Sequence, residues 1–379
     1  MKRIIILLIL FIGITTFTYA IDDELMKSQQ DSLNISSFIE EANEYTKENF
    51  PDIDVNELLN SAIRGEIDNS TLLKQIISLL GGEVLQALKI LGMILVIVVI
   101  GSILKTIGEN LGNQAISQIT YYVQYILIVT LILSNFTDII DIARTTIQDL
   151  SGFMNSLVPI LMTLMVTTGS IVTANIAQPI ILFAISFITN IISTIILPLV
   201  LVATVLGIVS NVSDKIQIGK LSKYFKSSII WGLGIILTIF VGMLSLEGTL
   251  SSSIDGVTAK TTKAAVSNLI PVVGKILGDS IDTVLGCAVI LKNAVGIVGV
   301  IIIISICIMP IIKLGILTIT YSIAAAIAEP IADGKIVKLL EQFGDTFKIL
   351  LGIIFAVSAM FLIGVTIVIK MSNSGMMYR

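Results

Sequence analysis

The stretch Pro179 to Ser210, PIILFAISFITNIISTIILPLVLVATVLGIVS, decides the fold class. It runs for 32 residues without a charged side chain, whereas one bilayer crossing needs about 20 apolar residues. A single straight span is therefore not expected. Pro198 is the natural point of a break, because proline lacks a backbone N–H and its ring clashes with the preceding turn. A second long apolar run, Ala294 to Ala328, carries one charge, Lys313, and is interrupted by Pro310.

The surroundings of the two runs also match. Leu157-Val158-Pro159 precedes Pro198 by 39 positions, and Leu269-Ile270-Pro271 precedes Pro310 by the same 39. A basic loop follows each run: Gly219-Lys220-Leu221-Ser222-Lys223 and Gly334-Lys335-Ile336-Val337-Lys338. A closing span follows each loop, holding Gly234-Ile235-Ile236 and Gly352-Ile353-Ile354. Apolar residues align with anything in a membrane protein, but two of the anchors are prolines and the chain has only 7. The pattern reads as an internal duplication, and missing a repeat mis-reads the fold.

Composition agrees on the class. Mean hydropathy is +0.99, with 55% hydrophobic and 13% charged residues. This predicts an all-α, polytopic helical membrane protein of roughly 7–9 spans. Strand alternation is absent, which disfavours a membrane barrel. Cys287 and Cys307 lack CxxC spacing and read as buried apolar side chains.

Charge is unevenly spread. Between Ile21 and Ser70 there are 13 acids against 3 bases, leaving 14 acids against 20 bases elsewhere. An acidic segment outside and a basic membrane part inside follow the positive-inside rule.

In chain order, Met1-Lys2-Arg3 and the short apolar run Ile4–Ile12 lead to Thr18-Tyr19-Ala20. That is a signal peptide over residues 1–20 with cleavage after Ala20. Residues 21–80 form an exported acidic segment, helical where Val55, Leu58, Leu59, Ala62 and Ile63 share a face. Asn69 or Ser70 can cap a further helix with Leu72, Leu73, Ile76, Ile77 and Leu80 as its stripe. The segment serves as a cap on the membrane surface, a docking site for extracytoplasmic partners, or both.

Residues 81–145 hold the first two spans, about Val84–Leu104 and Ile119–Phe136. Asp138, Asp141 and Asp149 then fall outside. Repeat unit 1 covers 150–247 and unit 2 covers 262–370, separated by the Ser/Thr/Gly-rich linker Gly248–Ala264. If the Pro179–Ser210 run crosses once, the loop with Lys215, Lys220, Lys223 and Lys226 lies outside, against the charge rule. A hairpin at Pro198 returns it to the cytoplasm, and this is the favoured reading. Residues 371–379 are a short polar tail, expected in the cytoplasm.

No catalytic chemistry is visible. The chain has no histidine, the commonest general base. It has no GxxxxGK[ST], HExxH or GxSxG motif and no metal-ligand cluster. The reading is of a non-enzyme without cofactor or metal, in a lipid bilayer and without nucleic acid. The candidate functional residues are polar groups among apolar neighbours, which are costly in hydrocarbon: Asn190, Lys292, Asn293, Lys313 and Glu329. Lys292, Lys313 and Glu329 either face a water-filled path or snorkel to the interface. Asn190 bonds a neighbouring helix or a substrate. Proline-broken helices in duplicated halves also build midplane sites in secondary transporters.

Taken together, the chain resembles the stage III sporulation protein AE family of endospore-forming bacteria. The resemblance rests on the signal peptide, Val55-Asn56-Glu57-Leu58-Leu59, Arg64-Gly65-Glu66, Gly82-Glu83, the two Leu-[Val/Ile]-Pro lead-ins, Lys292-Asn293-Ala294-Val295-Gly296 and Ile349–Lys370. It implies a protein of the mother-cell membrane around the engulfed forespore, working with other membrane and ring-forming proteins and a separate ATPase in a channel or secretion-like complex. It transfers no functional residues. The alternatives are a stand-alone two-repeat secondary transporter and a non-conducting assembly factor; self-association into a homo-oligomer stays open.

Overall fold

The computed structural model describes residue 30 and residues 35–47, 50, 54–66, 69–110, 114–212, 218–269 and 273–373. Every regular element among them is helical. The signal peptide with Ala20, and residues 374–379 of the tail, lie outside the described residues.

Two short helices come first, α1 (Ile35–Lys47) and α2 (Val55–Arg64). Asp54 caps α2 by accepting the Asn56 N–H at 2.8 Å. Gly65 ends it in the left-handed region at φ 72°, which a side chain rarely tolerates. The face expected from the sequence is the one that packs: Val55 and Leu59 are buried, and Leu58, Ala62 and Ile63 lie against the core. Asn43 Oδ1 ties the pair together by accepting the Val55 N–H at 3.1 Å.

The long helices follow: α3 (Asn69–Asn110), α4 (Gln114–Thr167), α5 (Ile171–Ile191), α6 (Leu197–Val212), α7 (Gly219–Leu269), α8 (Val273–Ala328) and α9 (Gly334–Asn373). A π-helical turn, Ile192–Ile196, joins α5 to α6. By length and composition, six helices among the described residues can cross a membrane: Leu80–Asn110, Ala115–Thr167, Ile171–Val212, Gly219–Ser245, Val284–Ala328 and Gly334–Met371.

The sequence reading gave seven to nine spans, and the difference has three sources. The span ending near Phe136 and the first lead-in, Leu157-Val158-Pro159, belong to one helix, α4, which ends at Thr167. The boundary between residues 145 and 150 therefore falls inside a helix, as do the boundary at residues 80/81 and the linker Gly248–Ala264. The hairpin expected at Pro198 is absent, because the helix runs on through the π turn. The wider turn accommodates the proline ring, a known use of π-bulges. Pro310 likewise lies within continuous α8.

Contacts orient the bundle. At one end Lys105 meets Asp333 at 3.2 Å, Tyr121 Oη donates to Asn211 O at 2.6 Å, and the Lys335 ammonium lies 5.5 Å from the Tyr121 ring centroid. This basic end gathers the starts of α4, α7 and α9 and the ends of α3, α6 and α8. With α4 counted as one crossing, the Lys220–Lys226 segment reaches the basic end without a hairpin. The proline-bearing stretches α5–α6 and α8 both run toward this end, each followed by a helix opening on Gly-Lys.

At the opposite end α1 rests on α4. Phe38 and Tyr45 pack on Phe153 with ring centroids 6.1 and 5.8 Å away. Ser156 hydrogen-bonds the Glu41 carboxylate. The C-terminal end of α9 lies here too, because Ile369 packs on Gly296 and Leu157 on Gly299. Helix α9 thus ends at the same end of the bundle as α1. The core between the ends is continuous, with Phe136, Tyr321, Phe343 and Phe347 clustering where α4, α8 and α9 meet.

Asp333 caps α9, accepting the Lys335 N–H at 3.0 Å. Burial pushes its pKa up, but the Lys335 N–H and the nearby Lys105 and Lys335 charges outweigh this and hold it below the usual value. A depressed carboxylate pKa contributes stability above its unfolded value, about 3.9. That contribution is lost as pH falls through the folded value. Asp333→Ala is expected to cost about 1 kcal/mol at neutral pH, as lost N-caps do. Unfolding of the detergent-solubilised protein at pH 7 and pH 3 checks this: the deficit should shrink at pH 3, and an undiminished deficit rejects the carboxylate as its cause.

Candidate functional site

The structure scatters the five polar candidates. Asn190 is exposed and accepts a bond from Thr194 Oγ1 of its own helix at 3.0 Å. Glu329 is exposed in the turn after α8. Lys292 does not snorkel: it is 0% exposed and donates to Ile369 O at 2.9 Å. Asn293, next to it, has a buried Oδ1 with no hydrogen-bond partner. The hydroxyls of Thr189 and Ser193, beside the π turn, are likewise buried and unpartnered.

Lys313 has company that the sequence did not reveal. It lines a cavity of about 180 Å³ at the junction of α3, α4 and α8, together with Glu83 and Gln86 of α3 and Asn135 and Asp138 of α4. The rest of the lining is apolar and includes Ala87, Ile90 and Leu317. Lys313 is half-buried, as are Glu83 and Asn135, while Gln86 and Asp138 are exposed. No ion pair within 4 Å joins Lys313 to either carboxylate. Lys313, Glu83 and Asp138 thus line one cavity with no ion pair between the lysine and either acid.

Local sequence explains the placement. The exposed face of α4 is apolar from Ile116 through Ile119, Val123 and Ile126 to Leu133. From Ser134 it turns polar, with Thr137, Asp138, Asp141, Arg144, Thr145 and Gln148 all exposed. The buried face stays apolar throughout, with Ile139, Ile140, Ala143, Ile147 and Leu150. The change of solvent therefore occurs at the level of the cavity. At a rise of 1.5 Å per residue, the cavity lies about 22 Å along α8 from Ala328 and about 30 Å along α3 from Lys105. That is close to the hydrocarbon thickness, about 30 Å.

In the sequence Glu83 and Asp138 mark span ends, and Lys313 is a charge that either faces a water-filled path or snorkels. Only the three-dimensional crossing of α3, α4 and α8 shows that they share one space.

The other candidate chemistry is quieter. Cys287 and Cys307 are buried and form no disulfide. No group of three or more metal-ligating side chains occurs among the described residues.

The family described as Stage III sporulation protein AE matches residues 53–372. The Stage III sporulation protein AE of Bacillus subtilis (strain 168) is 32% identical over 307 residues, covering 81% of this chain and 77% of the relative. No solved structure matches.

Proposed function

The chain belongs to the stage III sporulation protein AE family, and from that premise we propose that it is a membrane component of a mother-cell-to-forespore channel or secretion-like complex. The observation that carries this reading is the polarity of the bundle. Basic residues Lys105, Lys220, Lys223, Lys335 and Lys338 gather at one end, and α1 and α2 cap the other. By the positive-inside rule the basic end is cytoplasmic. Helices α1 and α2, with the C-terminal end of α9, then face the space between the two membranes. Ring-forming partners would meet this capped end, and a separate ATPase would work from the basic end. The protein itself supplies the membrane platform.

Deletion in the source organism tests the reading. Normal vegetative growth, with forespores that complete engulfment and then shrink or lose late gene expression, is the expected result. A growth defect, or spores formed at normal yield, rejects it. Affinity purification from sporulating cells separates a complex component from a stand-alone transporter: the component brings membrane partners with it, and the transporter comes alone.

A further inference from the structure

We propose that the cavity between α3, α4 and α8 is a binding site for a small zwitterion of the α-amino-acid class, held by Lys313 on one side and by Glu83 and Asp138 on the other. This goes beyond the family role and does not depend on it. The first support is the charge arrangement. Three charged side chains from three helices line one cavity of about 180 Å³, and Lys313 forms no ion pair with either acid. Partly exposed charges gain little by pairing, so these three can stay open around a common space and remain available to a ligand. Here they face a shared space.

The second support is the mixture of signs. A simple cation would be drawn to the carboxylates and repelled by Lys313, and a simple anion would meet the reverse. A ligand carrying both a carboxylate and an ammonium uses all three. Asn135 and Gln86 add amide donors and acceptors, and the apolar lining at Ala87, Ile90 and Leu317 suits a short side chain. The volume is well below the roughly 300–1,000 Å³ of drug-sized pockets, so the ligand has few heavy atoms. Access is from the far side of the bilayer relative to the basic end, where the exposed face of α4 turns polar.

The test is equilibrium binding of radiolabelled L-alanine to the purified full chain in lipid nanodiscs. Acetate, methylammonium and sodium chloride serve as single-charge competitors. Saturable binding is expected, weakened at least tenfold in Lys313→Met and in Asp138→Asn. It should be unchanged in Lys348→Met, whose side chain is exposed on α9 beside Asp345. Three results overturn the proposal: no saturable binding, binding unaffected by Lys313→Met, or competition by acetate or methylammonium as strong as by unlabelled alanine. Should Lys313→Met not purify, Asp138→Asn and Gln86→Leu carry the same comparison. Binding without partner proteins, or its loss with the sporulation phenotype intact, keeps this result separate from the role of the complex.

Discussion

Lys292→Ala is expected to be among the most damaging single substitutions in the chain, lowering stability by about 2–5 kcal/mol, the range for large-to-small changes in packed interiors. Lys292 is completely buried, and its side-chain amine donates to the Ile369 carbonyl at 2.9 Å. That carbonyl lies close to the C-terminal end of α9. One turn below, Gly296 brings α8 so close to Ile369 that a Cβ there would strike its side chain. Alanine at 292 removes the donor and leaves a hole. Methionine fills the space but removes one donor from a carbonyl that keeps its helical partner, so Lys292→Met is expected to cost about 1 kcal/mol, the net worth of a typical hydrogen bond. Reversible unfolding of the purified variants in mixed micelles checks both figures. Equal stability of Lys292→Met and the natural chain would mean that the bond adds nothing.

Lys292 also shows what was legible in the sequence and what was not. The all-helical membrane class was legible from apolar run lengths alone, because only helices of that length satisfy their own backbone in lipid. The roles of individual charges were not. In the sequence Lys292, Lys313 and Glu329 look alike, as isolated charges within or beside apolar runs. The structure buries one, sets one in a cavity and leaves one on the surface. The difference lies in which neighbours cross at that height, which hydropathy along one strand of sequence does not record.

The reading of α4 failed for a reason the sequence did contain. Asp138, Asp141, Arg144 and Asp149 looked like a loop between two spans. Yet no glycine or proline stands between Gln114 and Gly152, and Ile139, Ile140, Ala143, Ile147 and Leu150 keep a helical stripe through the charged stretch. Charges on one face and an unbroken apolar stripe on the other mark a helix that leaves lipid without ending. Merging those two spans removes the need for a hairpin at Pro198. Pro198 misled in the opposite sense, since a proline alone does not distinguish a reversal from a π turn that absorbs it.

Gly207→Leu is the second change with a large expected effect, because it strikes the polar junction that locks α6, α7 and α9 together at the basic end. Asn211 donates to Gln342 Oε1 at 2.8 Å, and Gln342 Nε2 donates to Ser222 Oγ at 3.4 Å. Ser222 in turn donates to Ala203 O at 2.6 Å, and Lys226 holds the Gln342 carbonyl at 3.0 Å. A Cβ on Gly207 would collide with the Gln342 amide. A side-chain end can usually swing away, but this one is held by partners on two helices. Moving it leaves buried polar groups unsatisfied. Overpacking of this kind typically costs about 1–3 kcal/mol and occasionally more, so Gly207→Leu should fall at the top of that range and Gly207→Ala near its bottom. A double-mutant cycle isolates the cause. If the collision with Gln342 is responsible, Gln342→Ala should cost much less in the Gly207→Ala background than alone, with a coupling of at least about 0.5 kcal/mol. Strict additivity would place the damage elsewhere along α6 and leave the junction with no special part in holding the basic end closed.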